Sequence, residues 1–161
     1  MYLLALTIGY GLAYVGLCAL FPYFFENAFL KPGAISKKSL AYIVAFACIV
    51  FVVSAGISDM ELSNRVLHVF GGGFLAFFIC FLAARDSRVR IRRFQFFLFS
   101  FLIVIALGVA NEILEFFLQN YFHFGFTRNV NDTWLDLISN VAGALIASLC
   151  LLLFVPKSKT K

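Results

Sequence analysis

The stretch "TRNVNDTWLDLISNVAGALIASLCLLLFV", residues 127–155, decides the fold. Its second half is an apolar run ready to enter hydrocarbon. Its first half carries Asp132, Asp136 and Asn140 four residues apart. On a helix, steps of four drift by only about 40°, so these three and Gly143 share one stripe. A polar stripe on a membrane-entering helix needs something polar to face.

The whole chain has the composition of a membrane protein. Of 161 residues, 63% are hydrophobic and 13% are charged, with mean hydropathy +0.97. Ordinary soluble domains carry about 25% charged residues. Five apolar runs reach the length needed to span a bilayer, at about 2–25, 40–57, 66–84, 95–119 and 133–155. The expectation is one all-α domain over residues 1–161, a polytopic bundle of five transmembrane helices. The polar connections are too short to build a second core. The first run lacks a basic leader and a clear cleavage site, so it reads as a retained span. The 22 Phe residues suit lipid-facing surfaces and packing.

Charge distribution orients the bundle. Lys31, Lys37 and Lys38 follow the first run. Arg85, Arg88, Arg90, Arg92 and Arg93 follow the third, and Lys157, Lys159 and Lys161 end the chain. Only Arg65 and Arg128 fall on the other side. This bias puts the C-terminus in the cytoplasm and the N-terminus outside. It also explains the net charge of +5 without nucleic acid as a partner. Cys18, Cys48, Cys80 and Cys150 lie in four different apolar runs without metal-ligand spacing. They read as small hydrophobes, not as disulfides or a zinc site.

The acids gather on the outer side: Asp59, Glu61, Glu112, Glu115, Asp132 and Asp136. Run three opens "NRVLHVFGGGF", with Arg65, His68 and Gly72 on one helical face. His68 alone could be a satisfied interfacial histidine. Gly71, Gly72 and Gly73 suit close packing of helix backbones; no strand or Lys makes them a phosphate loop. Run four ends "ALGVANEILEFFLQNY". Gly108, Glu112, Glu115 and Gln119 share a face there, while Asn111 points to a neighbouring helix. Glu115 lies where an acid can reach the interface, but Glu112 is about two turns inside. A charged group at mid-span costs about 2.5–3.5 kcal/mol on insertion scales, less nearer the surface. In run five Asp132 is the natural N-cap, and Trp134 suits an interfacial aromatic belt. Asp136 and Asn140 lie too deep to cap. The economical arrangement is one polar pocket between runs three, four and five. His68, Glu112, Glu115, Asp136 and Asn140 would line it as catalytic candidates. Arg65, Arg128 and Asp132 would bind substrate at its rim.

At these residues the chain resembles the VanZ-like family of small bacterial membrane proteins. The family pattern has a basic residue and a His opening one span, a Gly followed by a Glu, an outer-loop Arg, and an Asp-xxx-Asn-xx-Gly helix start. The matches are "RVLH", "GVANEILE", Arg128 and "DLISNVAG", with Glu115 where the family often has Gln. The paired Glu and "NDTWLDLISNVAGA" are also similar to the YjdF-like group. The resemblance covers roughly residues 60–150. It implies a multi-pass protein of the bacterial inner membrane and a role in the cell envelope linked to antibiotic resistance. Its partner would be a membrane lipid or lipid-linked precursor.

Three functions compete. One is an enzyme acting on a phosphate-containing lipid or polyprenyl-phosphate head group, with the Arg residues on phosphate, His68 moving protons and Glu112 or Asp136 as base. The second is a non-catalytic binder of an envelope lipid or glycopeptide-antibiotic target. The third is a proton-coupled carrier, built from the same buried acids. No sequence element fixes a cofactor, but clustered carboxylates with Asn suit a divalent metal such as magnesium or manganese.

Overall fold

The computed structural model describes residues 2–25, 35–89, 91–123 and 130–155. Every regular element among them is helical. Five helices follow in chain order: α1 (Tyr2–Phe24), α2 (Lys37–Ala55), α3 (Met60–Asp86), α4 (Arg93–Phe122) and α5 (Val130–Leu151). A single 3-10 turn, Leu152–Phe154, extends α5. Helices α2 to α5, the last counted with its 3-10 turn, are each long and apolar enough to cross a membrane. The fifth helix, α1, carries no charged residue along its 23 residues. Leu12, Val52, Phe70, Leu102, Ile113, Ile138 and Leu149 are all exposed on the outside of the bundle. Apolar exposure on every helix needs lipid around it. The all-α polytopic bundle expected from the sequence is the fold observed.

Helix α3 is the centre. Half of its most apolar window (50%) is buried, against 28% for α2, 22% for α4 and 33% for α5, and it packs on all four other helices. Leu75, Phe77, Ile79 and Cys80 on α3 are buried with Tyr14 and Phe21 of α1, Ile43 of α2 and Phe96 of α4. The α3 start is set by Asp59, whose carboxylate accepts from Glu61 N and Leu62 N, both at 2.9 Å. This N-cap begins the helix six residues before the expected span. Across the short turn, Ser54 and Ser63 bond oxygen to oxygen at 2.8 Å, tying α2 to α3.

The middle of α3, Leu67–Leu75, is a π-helix. Wide turns of this kind are rare and commonly sit at functional sites. The packing supplies the cause. A Cβ on Gly143 of α5 would strike the Val69 carbonyl, and one on Gly73 would strike the Asn140 carbonyl and lie 2.7 Å from Gly143 Cα. Two backbones therefore touch with no side chain between them, as small-residue contacts allow. The role expected for the glycine run as a packing surface holds.

The bundle has two polar ends. At one, the Asp86 carboxylate closes α3. It accepts from Tyr14 Oη at 2.7 Å, from Ser39 Oγ, and from Arg85 Nε at 3.0 Å. Arg85 Nη2 also donates to Ser39 Oγ at 2.9 Å, and Ser36 N donates to Tyr14 Oη at 3.1 Å. Every one of these polar groups has a partner, so the cluster clamps α1, α2 and α3 together. Arg93 Nη2 donates to the Leu153 carbonyl at 2.9 Å, where a cation suits a helix C-terminus. The ends of α3 and α5 and the start of α4 thus lie together. Their opposite termini form the other end.

Candidate functional site

At that other end α3 brings Asn64, Arg65 and His68, α4 brings Glu112 and Glu115, and α5 brings Asp132, Asp136 and Asn140. Asp136 is the hub. Its side chain is 4% exposed, and its Oδ1 forms an ion pair with Arg65 Nη1. The same oxygen accepts from Asn64 Nδ2 at 3.1 Å and lies 3.4 Å from His68 Nε2. Arg65 Nη2 pairs with Asp132 Oδ1, and Nη1 reaches the Asp132 carbonyl at 3.3 Å. One guanidinium therefore bridges two carboxylates one helical turn apart.

This alters the reading of Asp132. Helix α5 starts at Val130, so Asp132 sits inside its first turn and is not the N-cap. An acid there still favours the helix dipole, but its side chain is spent on Arg65. Arg65, expected on phosphate, commits both terminal nitrogens to α5, while its buried Nε has no partner among the described residues. Arg128 lies outside the described residues.

Glu112 behaves differently. It is 7% exposed, and neither carboxylate oxygen has a hydrogen-bond partner among the described residues. Yet it is not remote. One ligating atom from each of His68, Glu112 and Asp136 can be chosen so that all three lie within 4.8 Å of one another. Glu115 is half-buried and accepts from Asn111 Nδ2 at 2.7 Å. It remains within electrostatic range of His68, Asp132 and Asp136. Asn111, expected to reach a neighbouring helix, instead bonds along its own.

Asn140 is 3% exposed and lies beside His68. Two glycines make room for its amide. A Cβ on Gly72 would lie only 1.9 Å from Asn140 Oδ1, and one on Gly108 would lie 3.0 Å from Nδ2. The stripes of three helices thus meet on one side chain. Asn64 is the contact that sequence reasoning missed. Its spacing of four from His68 was the available signal.

Chemically, the four carboxylates of Glu112, Glu115, Asp132 and Asp136 gather here with the Arg65 guanidinium and the His68 imidazole. The arrangement can hold a cation, exchange protons or orient a polar group, and it lies at one end of the helical bundle. No curated protein and no solved structure matches the chain. The family described as Predicted membrane protein (DUF2238) matches residues 12–157, and the chain, by that match and by its apolar helices, belongs to it.

Proposed function

We propose that this pocket is a membrane-embedded active site for a phosphate-containing lipid or polyprenyl-phosphate head group, on the extracytoplasmic side of a bacterial inner membrane. One observation carries the reading: Glu112 is a buried acid with no hydrogen-bond partner among the described residues, held beside His68 and Asp136. A structural acid in a membrane helix is normally paired, and an intramembrane acid left without a partner marks function. The likeness of "RVLH", "NEILE" and "DLISNVAG" to the VanZ-like pattern supports an envelope lipid as the partner.

In this reading Glu112 takes a proton from water as the water oxygen bonds to phosphorus. His68 in its protonated form passes a proton to the oxygen that leaves as the old P–O bond breaks. Asp136, fixed by Arg65 and Asn64, sets the position of His68. Asn140 keeps the imidazole in place from the other side.

The test is turnover of head-group-labelled phospholipid and polyprenyl phosphate by protein in nanodiscs. Release of label, lost in Glu112→Gln and His68→Ala, is the expected result. Saturable binding of labelled lipid without any release would replace the enzyme with a binder.

A further inference from the structure

We infer that His68, Glu112 and Asp136 bind a single divalent transition-metal cation, of the manganese or zinc class. The inference concerns the pocket of the preceding reading but needs no lipid turnover to hold; with the ion bound, His68 and Glu112 are its ligands, and the proton transfers of that reading belong to the metal-free site.

Geometry comes first. The three side chains come from three helices that the glycine contacts lock together, and one ligating atom of each lies within 4.8 Å of the others. Ligands of one such ion stand about 2.0–2.2 Å from it. Small inward side-chain rotations bring the trio onto one centre.

The second observation is independent of that clustering. Both Glu112 oxygens are buried and lack a hydrogen-bond partner among the described residues, and so is Asn140 Oδ1, next to His68. Buried polar atoms are satisfied almost everywhere in folded proteins. Three side chains of this pocket carry such exceptions among the described residues: Arg65 at its donor Nε, and Glu112 and Asn140 at three acceptor oxygens. The three oxygens call for a positive ligand.

Charge points the same way. Glu112, Glu115, Asp132 and Asp136 stand against Arg65 alone among the described residues, and Arg65 is already bound to two of them. A divalent cation offsets the remainder and would also draw a phosphate into an otherwise repelling site. Among the described residues, the contacts of Asp136 end on Oδ1, which leaves Oδ2 for the ion. Asn64 and Arg65 then hold the ligating carboxylate in orientation, as outer groups do around metal ligands. The imidazole selects the metal class: magnesium prefers oxygen donors throughout, whereas manganese and zinc accept nitrogen with carboxylate.

The experiment uses the whole chain in nanodiscs, stripped with a chelator and dialysed. Mn2+ is titrated by the loss of its free spin-resonance signal, and Zn2+ by competition. The expected result is one ion per chain and a higher melting temperature with metal. Glu112→Gln and Asp136→Asn should abolish binding while keeping the helical circular dichroism of the parent. Asn64→Ala, which removes only an orienting group, should weaken it about 10–100-fold. Glu61→Gln, an exposed acid in the first turn of α3, should bind as the parent does. A folded parent that takes up neither ion at about 100 µM overturns the inference. So does binding that survives both Glu112→Gln and Asp136→Asn. Metal binding without lipid turnover leaves this inference standing and removes the head-group enzyme alone.

Discussion

The Asn140 amide oxygen of α5 lies 1.9 Å from where a Cβ on Gly72 of α3 would be, too close for both. A site side chain and a packing glycine are therefore one design. The same residue that lets the helices close also leaves room for the amide.

This sets apart two kinds of glycine substitution. In Gly72→Ala the obstacle is the end of a side chain, which can turn away. The helices stay packed, but Asn140 leaves His68, so activity should be lost with membrane abundance near normal. In Gly143→Ala the obstacle is the Val69 carbonyl, which cannot turn without breaking the π segment. Overpacking of this kind costs about 1–3 kcal/mol. Melting temperature and abundance should fall for Gly143→Ala and change little for Gly72→Ala. The reverse order would show that the π segment is not held by that backbone contact.

Asp136 and Asp132 share Arg65 but not its consequences. Asp136 also meets Asn64 and His68, and its side chain is 4% exposed against 16% for Asp132. Asp136→Asn should remove function while the protein still inserts, because Asp132 keeps Arg65 partnered. Asp132→Asn should cost less activity, through a looser Arg65. Arg65→Gln should be the most damaging to stability. It leaves two carboxylates in a partly buried site without their cation, a change that costs about 3–5 kcal/mol when a buried pair is broken from one side. Detergent-solubilised melting curves and abundance would rank the three. Asp132→Asn falling below Arg65→Gln in stability would contradict the bridge.

Much of this was legible in advance, and what was not has identifiable causes. Each apolar run became a helix, because length and hydropathy alone decide a membrane span. The polar stripes were legible because burying them together costs less than exposing each to lipid. The π segment was not legible. Its glycines marked a close approach, but the widened turn depends on Gly143 and Asn140, some seventy residues away. The Asp132 cap failed because the helix starts two residues earlier, at Val130, and a long-range partner claimed the carboxylate. The Asp86 cluster was missed for a similar reason. In sequence Asp86 is one acid among the basic residues after run three, and Tyr14 is one aromatic residue among many in an apolar run.

Topology is testable without any assay of function. The eleven-to-two division of basic residues predicts that the connection after α3 is cytoplasmic and the one after α4 extracytoplasmic. The alternation of α3, α4 and α5 is compatible only with opposite sides for these two connections. Reporter fusions after residue 90 should read cytoplasmic, and those after residue 126 extracytoplasmic. Inverted readings would move the pocket to the cytoplasmic face and remove its access to the outer leaflet.

Glu112 and Glu115 give the sharpest contrast, because they share a helix face and differ in surroundings. Glu115 is half-buried and accepts a hydrogen bond from Asn111. Its charge is partly compensated. Glu115→Gln should reduce activity by a modest factor and leave stability almost unchanged. Glu112 is 7% exposed with no hydrogen-bond partner among the described residues. An uncompensated buried acid works against folding, either as a charge out of water or through the proton it must take up. The amide of Gln carries no charge, and its N–H groups can donate toward Asp136. Glu112→Gln should therefore raise the melting temperature of the metal-free protein while abolishing activity. A residue kept only for packing would show the opposite, a loss or no change in stability with activity intact. Melting curves of chelator-treated parent and variant, measured beside lipid turnover, separate the two. A Glu112→Gln protein that is less stable and still active would show that the carboxylate is structural.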